Sequence, residues 1–295
     1  MTVLLLLVGL VSVALPGVRL RVVDPEPRWF VRLTVVALLL GLACLGMALV
    51  LSMTIGALYA MTGASDSPGV HLAPEGGVGA VVAAGLLAVF ASRAVSICVR
   101  ARERNRCARA EGWLGEHRPD GSHDLVVLPI DRPVAYSVSG RCPQIVISQG
   151  LRQSLDDDVL EFVIGHERAH LRARHRRALV LATVVEGLLP FVPWATRSAA
   201  ALRIAVERAA DEEAAGTELG RRRRLALEIA RMPGRLSVAC GPDLVRFRVN
   251  RLNSSPHNSP VGIGIAVVGL VAVALAALSA LSHVSGDVTP YLALL

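Results

Sequence analysis

The 295-residue sequence predicts a mainly α-helical membrane protein: four transmembrane helices, with a polar domain carrying a small β-sheet between the third and fourth. Three observations support this. The mean hydropathy is +0.52, and several runs of about twenty residues carry almost no charge. Arginines crowd some of the segments between these runs and are missing from others. In the polar region, three short β-rich stretches precede one amphipathic helical pattern dense in His and carboxylates.

Thr2–Val18 is apolar and just long enough to cross a bilayer. No basic segment precedes it and no small-residue cleavage site follows, so a span is expected in place of a signal peptide. Arg19, Arg21, Arg28 and Arg32 follow, then a second uncharged run, Leu33–Met61. The Thr62–Gly77 loop holds Asp66 and Glu75 but no Arg, and Val78–Val99 is the third span. An Arg-dense stretch begins at Arg100. The positive-inside rule then places the first loop and the polar domain in the cytoplasm, and both termini and the second loop outside. The expected organisation is a three-helix membrane region (1–99), a cytoplasmic domain (100–260), a fourth span (261–282) and a short extracellular tail (283–295).

All 31 basic residues are Arg. We read this as a composition effect of a GC-rich genome, since no DNA- or RNA-binding motif accompanies them, and no direct nucleic-acid partner is expected. The run Arg221–Arg224 is expected to sit near anionic lipid headgroups. The five cysteines form no CxxC and no pairing pattern, so nothing in them points to a disulfide framework or a cysteine metal site.

Within the polar domain, Asp124–Ile130, Pro133–Val138 and Gln144–Ser148 read as strands, the last two joined as a hairpin. Ser154–Arg176 reads as one helix, with Ser154 and Asp157 resembling a capping box. It contains His166, Glu167 and His170 as HExxH. Histidines at i and i+4 share a helix face, so both imidazoles reach one Zn²⁺, and Glu167 is placed to take a proton from a water held there. His175 is off by one from a third-histidine position and is expected at the surface.

A third ligand is expected from Arg203–Ala214, where Glu207 and Asp211 share a helix face. Glu207 suits a metal ligand and Asp211 a carboxylate that orients a ligand histidine. Glu212 and Glu213 are expected on a solvated face. Between these two motifs, Ala178–Leu202 is apolar but contains Glu186, Pro190, Pro193 and Arg197. Because both flanks must reach one metal, it is expected to enter and leave on the same side as a helical hairpin. Glu186 is either a functional intramembrane carboxylate or a residue facing the polar domain. Tyr136 and Arg203 are weak candidates for stabilising an oxyanion.

HERAH, the RIAVERAAD segment and this helix order resemble the BlaR/MecR-type membrane zinc metallopeptidases, of the gluzincin clan. The resemblance covers roughly Asp124 to Leu252 and includes PVAYSV, IVISQGL and FVPW. HtpX-type and CAAX-protease families share the same zinc grammar. The resemblance implies a Zn²⁺-dependent endopeptidase with His166, His170 and Glu207 as ligands, Glu167 as general base and Asp211 as the ExxxD aspartate. Its implied substrate is a protein or peptide, with a cytoplasmic transcriptional repressor as the family's signalling target. Antibiotic sensing is not implied, because the thirteen residues after 282 cannot form the family's large C-terminal sensor.

Overall fold

A computed structural model describes residues 2–19, 26–62, 76–120, 123–231, 242–253, 271, 274–277 and 279. Three long helices open the chain: α1 (Thr2–Arg19), α2 (Pro27–Thr62) and α3 (Gly76–Gly112). Pro27 begins α2 at a position where its missing N–H costs nothing. Gly41 lets α1 and α2 approach closely, because a Cβ there would collide with Val13 and the Gly9 carbonyl.

Four spans were expected, and two of the described helices are long and apolar enough to cross a membrane: α2 over Pro27–Ala57 and α3 over Gly77–Gly112. The apolar part of α1, Thr2–Pro16, is about 22 Å long, short of a hydrocarbon core of about 30 Å. The fourth expected span, Val261–Ser282, lies almost entirely outside the described residues, as do the 63–75 loop and the 283–295 tail. Ala277, one of the few described there, packs on Val8 and Cys44.

The Ala178–Leu202 segment is a helical hairpin formed by α6 (His175–Leu188) and the first half of α7 (Pro193–Ala215). It packs against α1, α2 and α3. Ala182, Val185, Ala195, Ala199 and Leu202 share one buried core with Val13, Phe30, Leu38 and Leu45. Ser198 donates to the Ala14 carbonyl at 3.4 Å, and Arg93 donates to the Gly187 carbonyl at 3.3 Å. Phe191 and Trp194 at the tip stay exposed. Glu186 is paired with Arg203 at 2.7 Å, so each neutralises the other within the hairpin.

The sheet has four strands where three were expected: β1 (Glu116–Asp120), β2 (His123–Leu128), β3 (Ala135–Val138) and β4 (Gln144–Ser148), in the order β1-β2-β4-β3. β1 is not legible in the sequence because EHRPD is polar and includes a proline that sheets tolerate at their edges. β3 and β4 form the expected antiparallel pair, while β2 and β4 run parallel. Side chains alternate across the sheet. Val126, Val138 and Val146 face the stem of α3, whereas Ile145 and Ile147 face the helices that carry the site. β3 is therefore an edge strand beside those helices.

The expected single helix from Ser154 to Arg176 is three pieces: α4 (Gln149–Ser154), α5 (Asp157–Arg172) and α6. Asp156, not Ser154, occupies the N-cap of α5. Arg174 adopts φ 53°, a left-handed conformation that ends α5 and redirects the chain into α6. Last come α8 (Leu219–Arg231) and α9 (Pro242–Leu252). The Arg221–Arg224 run on α8 does not simply face outward. Arg222 is fully buried, held by Glu212 at 2.6 Å and by the Gly216 and Arg251 carbonyls. Arg221 and Arg224 lie 3.7 and 3.6 Å from Glu161 and Asp158 of α5.

Candidate metal centre

On α5, the i, i+4 spacing puts His166 and His170 on one face, with their Nε2 atoms 3.0 Å apart. α7 lies across that face and brings Glu207 to both. Its Oε2 is 3.5 Å from His166 Nε2, and its Oε1 is 3.7 Å from His170 Nε2. Ligand atoms 2.0–2.1 Å from a tetrahedral zinc sit about 3.4 Å from one another. The three observed separations bracket that value. All three donor atoms lie within 4.8 Å of one another.

The charge balance also fits a cation. Asp211, one turn beyond Glu207, has a full partner: Arg248 of α9 donates to its two oxygens at 2.7 and 2.6 Å. Glu207 has none of that quality. Its Oε2 is buried without a hydrogen-bond partner among the described residues, and Arg248 is 3.9 Å away. Two imidazoles and one carboxylate form a donor set that suits zinc.

The titration behaviour points the same way. Burial alone would lower the pKa of His166, but the hydrogen bond and charge of Asp211, with Glu207 beside it, raise it to about 10. Burial would raise Glu207, yet His166, His170 and Arg248 hold it down to about 2. A divalent cation held by His166, His170 and Glu207 would supply the positive charge that the buried Glu207 carboxylate calls for. His170, desolvated and next to His166, is lowered to about 4 and stays neutral.

Each of the two histidines has a neighbour on its far nitrogen. His166 Nδ1 lies 2.9 Å from Asp211 Oδ1, an ion-pair contact that keeps the ring turned with Nε2 toward His170 and Glu207. His170 Nδ1 is 3.1 Å from His175 Nδ1. When His170 donates in that contact, its Nε2 is free for a metal. His175 is therefore not the expected surface residue. It is buried, because the left-handed turn at Arg174 shifts it off the helical register extrapolated from α5.

Glu167 is buried beside His166 and on the α5 face turned to β3. Desolvation raises its pKa, opposed by the charge of His166 and a hydrogen bond from the Ser137 side chain. A carboxylate tuned upward accepts and returns a proton more readily near neutral pH. Tyr136, next to Ser137, points to the opposite face of β3 by strand alternation. Its hydroxyl donates to Glu111 at 2.9 Å, and burial raises its pKa. Tyr136 and Arg203 are thus both engaged elsewhere, which corrects the expectation that either stabilises an oxyanion.

Glu212 and Glu213 are not a free solvated face either. Glu212 holds the buried Arg222, and Glu213 pairs with Arg28 at 3.1 Å and with Arg172 at 3.4 Å. Arg28 is on the first turn of α2, so this contact ties the start of a membrane-length helix to the helix carrying Glu207. Arg248 and Ser137 carry no signal in the sequence. Nothing in FRVNRL separates a buried arginine from the exposed ones beside it, and Ser137 is one of many serines in extended segments.

Two histidines and a carboxylate beside a buried glutamate, on helices flanked by a sheet edge, form a metallopeptidase-type arrangement. Residues 100–225 match peptidase family M48, whose members are zinc metallopeptidases. The match supports a metallopeptidase role for this segment, which contains every site residue named above except Arg248. No curated protein and no solved structure matches the chain significantly.

Proposed function

We propose that this protein is an integral-membrane, zinc-dependent endopeptidase that hydrolyses peptide bonds on the cytoplasmic side. The observation that carries the reading is the convergence of His166, His170 and Glu207 beside Glu167, with the Glu207 helix α7 packed directly against the membrane-length α2. α2 and α3 support bilayer insertion, and the Arg-rich segments at the domain end of both helices support a cytoplasmic domain. The M48 match supports the peptidase chemistry.

When bound, zinc would supply an electrophile for the scissile carbonyl and an acidified water. Glu167 takes the proton from the attacking water and delivers it to the leaving amine. Asp211 and His175 keep His166 and His170 in the required tautomers and orientations. The free edge of β3 can pair with an extended peptide and lay its backbone beside Glu167. Among substrates, the BlaR/MecR-type resemblance favours a cytoplasmic transcriptional repressor.

The test uses the full chain in detergent or proteoliposomes with a candidate repressor or an unstructured peptide pool. Glu167→Gln should retain zinc and lose activity by about 10²–10⁴-fold, because the amide keeps the shape but cannot accept the proton. Undiminished cleavage by this variant would remove Glu167 from the mechanism. Cleavage of many unrelated misfolded membrane proteins, with the repressor intact, would redirect the substrate class to quality control.

A further inference from the structure

A cavity of about 910 Å³ lies between the stem of α3, the β3–β4 turn and the α5–α6 corner. Eight arginines line it and no Asp or Glu does. Three of the eight have partners: Arg168 contacts His123, Arg172 pairs with Glu213, and Arg176 donates to the Ala101 carbonyl. Arg102, Arg106, Arg141, Arg174 and Arg177 have no ion-pair partner among the described residues, and all five are exposed. So many like charges around one cavity repel each other and favour an anionic occupant. Guanidinium groups in particular match phosphate oxygens in a bidentate fork.

The position of the cavity narrows the choice of anion. Its lining on α3 starts at Cys98, where the apolar part of that helix ends, and faces Val180 on α6. On the membrane side of this point, Val82, Val89 and Val95 of α3 stand open, 48% to 61% exposed. Apolar side chains left open on a membrane-length helix suit acyl chains. Arg102 is four residues past Cys98, about 6 Å along the helix axis. The headgroup layer of one leaflet is about 5–8 Å thick, so Arg102 falls within it and Arg106 just beyond.

We propose that this cavity binds the phosphate of an anionic phospholipid from the leaflet where α3 emerges, with Arg102, Arg174 and Arg177 as its main contacts. The proposal rests on the reading of α3 as a membrane span. It also links lipid to the site, because the Arg174 turn that lines the cavity is the turn that sets His175 against His170. An occupant gripping Arg174 holds that turn in place.

The full-length, zinc-loaded protein in neutral detergent is titrated with phosphatidylglycerol, phosphatidylcholine or inorganic phosphate, and retained ligand is counted by native mass spectrometry. Phosphatidylglycerol should be retained in preference to phosphatidylcholine. Arg102→Ala/Arg177→Ala, two exposed positions away from the catalytic residues, should weaken that retention by about tenfold or more. Arg221→Ala/Arg224→Ala should leave it unchanged. Equal retention of the two lipids, or no loss in the cavity variant, overturns the proposal. So does tighter binding of inorganic phosphate, or displacement of the lipid by an acidic peptide at lower concentration, each of which identifies a different occupant. Alkaline carbonate extraction separates the two layers of inference. Protein released into the supernatant overturns the membrane reading itself, whereas protein that stays in the pellet but shows no lipid preference overturns this proposal alone.

Discussion

The two halves of α7 meet opposite surroundings on one continuous helix. From Pro193 to Leu202 it is rich in small apolar residues, and Ala195, Ala199 and Leu202 are buried in the core shared with α1, α2 and α6. From Arg203 to Ala215 its acids are gripped individually. Glu207 faces the two histidines, Asp211 is clamped by Arg248, Glu212 by Arg222, and Glu213 by Arg28 and Arg172. The first half is positioned by shape, which tolerates small errors gradually. The second is positioned by charge in a desolvated setting, where losing one partner is costly. A helix of about 35 Å joins them, so packing against α1 and α2 fixes where Glu207 sits.

The largest break expected in this comparison is at the polar half. Glu207→Ala should reduce bound zinc to background and activity by at least about a hundredfold, since even partners that merely orient a ligand are worth 10–100-fold. Metal analysis of the purified variant decides it. Zinc retained by Glu207→Ala would require another third ligand.

Arg248→Met comes next. It leaves Asp211 buried without its bidentate cation, beside His166, and should cost about 3–5 kcal/mol in stability. Adding Asp211→Asn should restore part of that loss, because the neutral amide no longer needs a cation. A double-mutant cycle on thermal inactivation measures the coupling, and strictly additive losses would show that the two side chains act independently.

His175→Ala should weaken zinc affinity by about 10–100-fold while leaving the fold intact, as measured by competition with a chelator. An unchanged affinity would mean that α5 alone orients His170.

The smallest catalytic effect is expected from the apolar half. Ala199→Leu overfills a closed core and should cost about 1–3 kcal/mol of stability, with activity per folded, zinc-loaded molecule close to normal. Should this variant instead lose metal as fully as Glu207→Ala, the two halves would be one cooperative unit and the contrast between them would dissolve.

Spacing along a single element is written in the amino-acid order and needs no partner to be read. Residues four apart share a helix face, which placed His166 with His170 and Glu207 with Asp211. Long uncharged runs marked α2 and α3, and short β-rich stretches marked β2, β3 and β4. Which charges meet is settled only in the packed chain. Arg248 reaches Asp211 from 37 positions away, and Arg222, within a run expected near lipid headgroups, is buried against Glu212. His175 faces His170 because a single residue, Arg174, takes a left-handed conformation that breaks the helical register. Periodicity describes the faces of one element. Burial and ion pairing depend on which faces are pressed together, and that is set by the packing of the whole chain.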